Sequence, residues 1–335
     1  GGSTAWAVWH RSIPGGYGLL LNATTSSSAI GEIFATSVNS SSFVVNIADT
    51  SRTNYNGVTY IAYIYAHDAG GFGLTNTDNV ISCGSTDGSK VTLGYEPQWI
   101  LYRSYDFSDD WQIVDNMRGL PVGAVARKLE PNTPDAEDNT SNSITIAANG
   151  FTLGAITGTA IYIAIRRGPM RTPTVGTSVF YPTTYTGTGS ARTFSGFGFP
   201  PDFEMSISTG GSAAGDNNGP EIYDRLRGPT VRLLTPSTDA QFTTSESVTM
   251  IQDGISVSST TNSYINASGF AKVLYGFKRA PSFFDEVCYA GQNSAPLVNS
   301  HNLGVTPELA IIKNRTTATD WLVQTQITGL GNYLN

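Results

Sequence analysis

The sequence predicts an all-β protein made of tandem antiparallel β-sandwiches, jelly-roll or lectin-like, repeating about every 105 residues. Three observations predict it. Segments recur in the same order along the chain, turn signals punctuate it about every ten residues, and no segment carries a sustained helical period of apolar residues.

An internal period decides the architecture, so the repeat comes first. Cys83, Leu93-Gly94, Pro97, Trp99-Ile100-Leu101 and Asp110-Trp111 recur in order as Cys288, Leu303-Gly304, Pro307, Leu309-Ala310-Ile311 and Asp320-Trp321. Trp111 and Trp321 lie 210 residues apart. A weaker copy, Gly198, Pro201 and Phe203-Glu204-Met205, falls between them, so that Pro97, Pro201 and Pro307 follow one another at 104 and 106 residues. A period of that length is the size of a small domain with its own core. Residues 113–119, with Asp115 and Arg118, match 222–228, with Asp224 and Arg227. Each unit closes on a β-rich run and a basic pair, Arg166-Arg167 or Lys278-Arg279, and residues 60–67 are an earlier relative of that run. Trp6 fits the Trp111 segment. The expected organisation is therefore residues 1–78 as the last part of a unit, 79–179 and 180–284 as whole units, and 285–335 as the first part of another, in a chain cut from a longer array.

The elements follow in order. Residues 91–93 and 99–102 are short, β-branched or aromatic, and bounded by Gly and Pro, as strands are. Ser143-Ile144-Thr145-Ile146 alternates polar and apolar, the pattern of a half-buried strand, whereas 161–165 is apolar on both faces, as a strand in the middle of a sheet is. Asn149-Gly150 and Asp253-Gly254 are expected as tight turns with glycine in the left-handed region, followed by Phe151 and Ile255 as core anchors. Residues 121–129 read as a short helix or a loop.

Charged residues make up only 13% of the chain, about half the usual share, and Ser, Thr, Asn and Gly replace them, giving a neutral, hydroxyl-rich surface. A net charge of −7, with no basic run longer than two residues, excludes nucleic-acid binding by phosphate neutralisation. No 18-residue apolar run is present, so no membrane span is expected. Cys83 and Cys288 hold equivalent places in different units. They are expected as buried thiols and not as a bridge.

The three histidines are His10, His67 and His301. A Ser-His-Asp site needs a histidine between a carboxylate and a serine, and neighbours such as His67 and Asp68 in a strand point to opposite faces, so a capped strand end is expected there. Asp115 with Arg118 and Asp224 with Arg227 recur together, which predicts an ion pair bracing the turn before Gly119 and Gly228, not a pair of carboxyls facing one sugar. The only cofactor candidate is Ca²⁺, at Asp106, Asp109 and Asp110 or at Asp216-Asn217-Asn218-Gly219; neither completes a binding-loop pattern, and solvated turns are the expectation. Trp99, Trp111 and Trp321 recur at repeat positions and so read as packing anchors, while Tyr17 and Tyr105, in Gly- or Asp-rich turns, are the candidates for ligand contact.

The motifs of 60–67, 162–169 and 94–119 resemble a repeated β-domain of uncharacterised function in virion proteins of tailed phages, often tail fibres or tail proteins of marine and cyanobacterial phages. The unit at 181–281 departs from the pattern by lacking a tryptophan at the Trp111 position. The resemblance implies a structural virion component presenting a host-contact surface. Its partners would be other virion proteins, further copies of itself with a trimer favoured, and host surface glycans. It carries no catalytic residue across, so no enzyme is expected. The other readings open at this point are a carbohydrate-binding repeat array of a bacterial surface adhesin and, behind it, a glycan depolymerase.

Overall fold

A computed structural model gives the structure of residues 5–27, 34–45, 53–73, 75–119, 126–138, 144–154, 156–168, 171–210, 220–258, 265–291, 296–327 and 334. Within them the chain is all-β, with antiparallel pairing throughout and no α-helix; one 3₁₀ turn spans Gly176–Ser178. Two compact units emerge: Gly1–Asp115 with Gly123–Arg167, and Asn116–Val122 with Gly168–Asn335.

The first unit opens on two hairpins, β1 (Ala7–Val8) with β2 (Leu19–Leu20) and β3 (Phe34–Val38) with β4 (Phe43–Val45). Its sandwich follows: β5 (Ile81–Thr86), β6 (Val91–Thr92), β7 (Pro97–Ser104), β8 (Gln112–Asp115), β9 (Lys128–Leu129), β10 (Ile144–Ala147), β11 (Gly150–Leu153) and β12 (Ala160–Arg166). One sheet has the order β5-β12-β7-β8-β9 and the other β10-β11-β6. β12 is flanked on both sides, as its two-faced apolar sequence requires, and β10 alternates buried and half-buried residues. The sheets meet through contacts such as Phe151 against Tyr162, edge to face with ring centroids 5.1 Å apart. Lys128 and Leu129, at the end of the stretch read as a helix or a loop, form the edge strand β9; residues 121–125 of that stretch lie outside the described residues.

The second unit repeats the plan. β13 (Phe180–Thr186), β14 (Arg192–Ser195), β15 (Phe203–Ser208), β16 (Glu221–Asp224), β17 (Val231–Leu234), β18 (Phe242–Thr243), β19 (Val248–Ile251), β20 (Gly254–Val257) and β21 (Ala271–Phe277) form sheets of order β13-β21-β15-β16-β17-β18 and β14-β20-β19. Phe194, Met250 and Ile255 of the small sheet pack on Tyr185, Tyr223 and Leu274 of the large one. A last hairpin pairs β22 (Leu309–Ile312) with β23 (Leu322–Thr325).

Strand register fixes the alignment of the two sandwiches. Trp99 pairs with Ile165 and Asp115, and Phe203 pairs with Phe277 and Asp224. Trp99 therefore corresponds to Phe203, Pro97 to Pro201 and Asp115 to Asp224. In the same register Ile100 corresponds to Glu204 and Gln112, three residues before Asp115, to Glu221.

Glycine serves the hairpin of the small sheet differently from the expectation. Gly150 and Gly254 open β11 and β20 with φ of 158° and 144°, not in the left-handed turn region. A Cβ on Gly254 would stand 1.9 Å from the Phe194 carbonyl oxygen, and one on Gly150 1.9 Å from that of Val91. Close approach of the neighbouring strand, and not turn geometry alone, demands glycine at both places.

Residues 60–67 are not part of a sheet. No strand pairs with them among the described residues, and Ile61, Tyr63 and Ile64 are exposed.

Candidate functional site

The most developed polar construction in the first unit is a clamp around Trp111. β7 and β8 set Arg103 and Trp111 side by side on the outer face of the large sheet, with the guanidinium 5.5 Å from the indole centroid. Arg103 donates to the carbonyls of Leu20 (3.3 Å), Ala23 (2.8 Å) and Thr25, and the Trp111 indole N–H donates to Leu20 at 2.9 Å. Ile13 and Leu19 pack on Trp111 and Ile161 beneath it. The loop so gripped belongs to the preceding repeat. The second unit builds the same joint: the Trp321 indole donates to Leu234 (3.3 Å) and Ser237 (3.1 Å), and Lys313, the counterpart of Arg103, donates to Thr238 at 2.9 Å. A further echo lies at the tryptophan backbone. The Trp6 N–H donates to Asn22 Oδ1 at 2.9 Å and the Trp111 N–H to Asn132 Oδ1 at 2.8 Å.

Inside the second sandwich is a group of buried charges, three of which replace neutral residues of the first. Glu204 and Glu221 face the core where the first sandwich has Ile100 and Gln112, and Lys272 stands at the position of Ala160. Arg232 bridges Glu221 (3.3 Å) and Glu246 (3.9 Å). Both carboxyl oxygens of Glu204 lack a hydrogen-bond partner. Burial first, and then the charges of Glu221 and Glu246, push the Glu204 carboxyl well above its usual range; burial first and Glu246 next push Glu221 up to about 8. Glu204, buried with both oxygens unbonded, holds its proton most firmly, and Glu221 keeps its own up to about pH 8.

The recurrent acid of β16 is paired as the sequence implied. Asp224 accepts from the Arg227 backbone N–H at 2.7 Å and from its Nε, and Gly228, at φ 90°, closes the turn. Burial opposes ionisation of Asp224, but the Arg227 charge and hydrogen bonds hold its carboxyl below the usual range. Burial and the neighbouring Asp224 charge drive Glu286 well above its own. Asp115 is half-buried at the end of β8, and Arg118 lies three residues on in the following turn.

His67 and Asp68 differ from the expectation. Asp68 has φ 44°, which turns both side chains to one side, and His67 Nε2 comes within 3.5 Å of Asp68 Oδ2. Ser82 Oγ donates to Asp68 and receives the Tyr95 hydroxyl at 2.8 Å, while His67 Nδ1 accepts the Cys83 N–H at 3.1 Å. The serine bonds the carboxylate and not the imidazole, so the group ties the segment to β5 and does not activate the hydroxyl. His10 donates from Nε2 to the Tyr162 carbonyl (3.1 Å) and accepts at Nδ1 from Ser12 N–H (3.1 Å), which defines a neutral ring; burial lowers its pKa to about 4.

Of the ligand-contact candidates, Tyr17 is 45% exposed. Tyr105 is not free: it is half-buried and packs against the Trp111 cluster, because its turn is covered by residues of the preceding repeat. Trp111 is buried, while Trp99 and Trp321 are only half-buried. Both cysteines are free thiols. Cys83 is buried and Cys288 partly so, and burial pushes them up to about 11 and about 12. Asp106 accepts from the Thr159 N–H and Ser104 Oγ, each at 3.0 Å, Asp109 from the Asp110 N–H at 2.9 Å, and Asp110 from Asn132 at 2.6 Å, so each carboxylate serves a turn. Residues 216–219 lie outside the described residues. Sequence reasoning passed over Arg103, Lys313, Glu204, Glu221 and Lys272. Laying the repeats side by side would have exposed the last three as charges on an apolar or neutral pattern.

A model of a domain of unknown function, DUF7483, matches residues 1–163 and 176–335. No curated protein and no solved structure matches the chain.

Proposed function

The chain belongs to the DUF7483 family over nearly its whole length, and we propose that it is a structural array protein. In this reading it is a virion component, a phage tail fibre or a related fibre or decoration element presenting a host-contact surface. The observation that carries the proposal is the tryptophan–cation clamp, which recurs at two junctions and there fastens a repeat to the loop of the one before. Such joints suit an array whose repeats must stay fastened under load. The neutral, hydroxyl-rich composition suits a particle surface. The reading assigns no reaction and no cofactor to these residues, places the protein in the virion, and pairs it with copies of itself and other virion proteins. Mass spectrometry and immunogold micrographs of purified virions from the source lysate test it. Many copies per particle are expected; a protein found only on the bacterial envelope would overturn the reading.

A second reading, a carbohydrate-binding repeat array of a bacterial adhesin, is favoured by one observation. Trp6, Trp9 and Tyr17 are all exposed along the first segment, and aromatic faces of this kind stack on sugars. A glycan array screened with wild type and with Tyr17→Ala separates the two readings.

A further inference from the structure

We propose that Asp224 and Glu286 form a proton-operated latch. It holds the segment at residues 285–288 on the second sandwich while one proton is shared between the two carboxyls, and releases it when that proton leaves. The latch lies within the second unit and does not depend on the array reading.

The segment follows β21 and folds back on the end of the large sheet. Arg279 fastens its start: Nε donates to Asp285 at 2.9 Å and Nη2 to the Glu286 carbonyl at 2.5 Å. Asp285 also accepts the Asn302 N–H at 2.6 Å. Glu286 is half-buried as a residue, but its carboxyl is the buried end, and Oε2 has no hydrogen-bond partner. That carboxyl lies against Asp224 at the end of β16, and the two acids hydrogen-bond to each other. Two carboxyl groups can bond in this way only if one of them carries a proton. Cys288, two residues on, is partly buried beside the pair.

The charges around the pair decide which acid keeps the proton. Arg227, in the turn after β16, donates its backbone N–H to Asp224 at 2.7 Å and its Nε as well. Arg279 faces Glu286 and also serves Asp285. Behind Arg279, Asp202 accepts its backbone N–H at 2.8 Å and pairs with Arg225 at 3.2 Å. Arg315 acts on the Cys288 thiol. Burial opposes ionisation of Asp224, but Arg227 holds it ionised, whereas burial and then the Asp224 charge keep Glu286 protonated. Losing the Glu286 proton would set two carboxylates face to face out of water. Asp224 is fixed in a strand of the sheet, so relief comes from the segment.

The sign follows. The docked segment keeps a proton on Glu286 well above the ordinary value of 4.5, near which the released segment gives it up. Docking is therefore strongest below pH 4.5 and weakens as pH rises through the raised value.

The test uses the two cysteines of the whole chain as reporter and reference. Wild type and Glu286→Gln are pulsed with iodoacetamide between about pH 5 and about pH 9, and alkylation of Cys288 relative to Cys83 is read by mass spectrometry; the ratio cancels the ordinary gain in thiolate with pH. In wild type the ratio is expected to rise about tenfold or more over this range. In Glu286→Gln, whose amide donates to Asp224 without a proton to lose, it should stay flat. Amide exchange of β21, measured alongside, should give the same protection in both proteins. A flat ratio in wild type overturns the proposal, and so does an equal rise in Glu286→Gln. Loss of β21 protection in step with Cys288 labelling also overturns it, since the whole sandwich would then be opening.

Discussion

The indole N–H of Trp111 donates to the backbone carbonyl of Leu20 at 2.9 Å across 91 residues of sequence, and Trp321 reaches Ser237 in the same manner across 84. The tryptophans that recur at the period of the chain thus work at the seams between repeats as much as inside them.

Replacing Trp111 by Phe keeps most of the packing and removes the donor. The Leu20 carbonyl keeps Arg103 as a partner, so the expected cost is about 1 kcal/mol. Trp111→Ala also empties the site between Ile13, Leu19 and Ile161 and is expected to cost about 3–5 kcal/mol. Urea denaturation followed by amide exchange at residues 19–21 checks both. An alanine variant as stable as wild type would remove the clamp from the account.

Glu204 stands where the first sandwich has Ile100, buried and without a partner. Glu204→Ile should therefore stabilise the second unit, by about 1–3 kcal/mol. Thermal denaturation with a probe in that unit gives the sign directly.

The buried acids also set a pH dependence. The folded chain holds a proton on Glu221 up to about pH 8, whereas the unfolded chain releases it near 4.5. The contribution to stability is then most favourable below pH 4.5 and is lost as pH rises to about 8. A melting temperature of the second unit that rises across this interval would contradict the assignment.

His10 works in the opposite sense. Its ring is neutral when folded, with a pKa of about 4 against 6.5 when free, so its contribution is complete above pH 6.5 and is lost as pH falls to about 4. Amide exchange of residues 10–13 should accelerate over that range, and the acceleration should disappear in His10→Gln.

Gly254→Ala forces a Cβ against the Phe194 carbonyl and should separate β14 from β20. A loss of about 2–4 kcal/mol is expected from strain and a disrupted ladder, read by chemical denaturation. A neutral result would mean that the two strands can move apart freely.

Much of this architecture could be read from the chain because periodic signals reinforce one another. The β12 run, the Asp224–Arg227 turn and the alternating β10 each follow from local pattern. What could not be read depended on neighbours distant in sequence. Tyr105 looked exposed because its turn is polar, but residues near 13–19 cover it. His67 and Asp68 were assigned opposite faces from strand geometry, and one residue with positive φ turned them together. Glu204 gave no signal by itself, since a carboxylate in an alternating strand reads as an outward residue until register places it inside.

The acceptors of the clamp are all main-chain carbonyls: Leu20, Ala23 and Thr25 in one joint, Leu234, Ser237 and Thr238 in the other. Every amino acid supplies that oxygen. The joint therefore makes its demands on one partner alone: a tryptophan and a cation must be kept on the gripping side, while the gripped loop is free to vary in side chain so long as its path is preserved. Repeats built on this rule can be shuffled, or given new loop surfaces, without redesigning the seam that joins them.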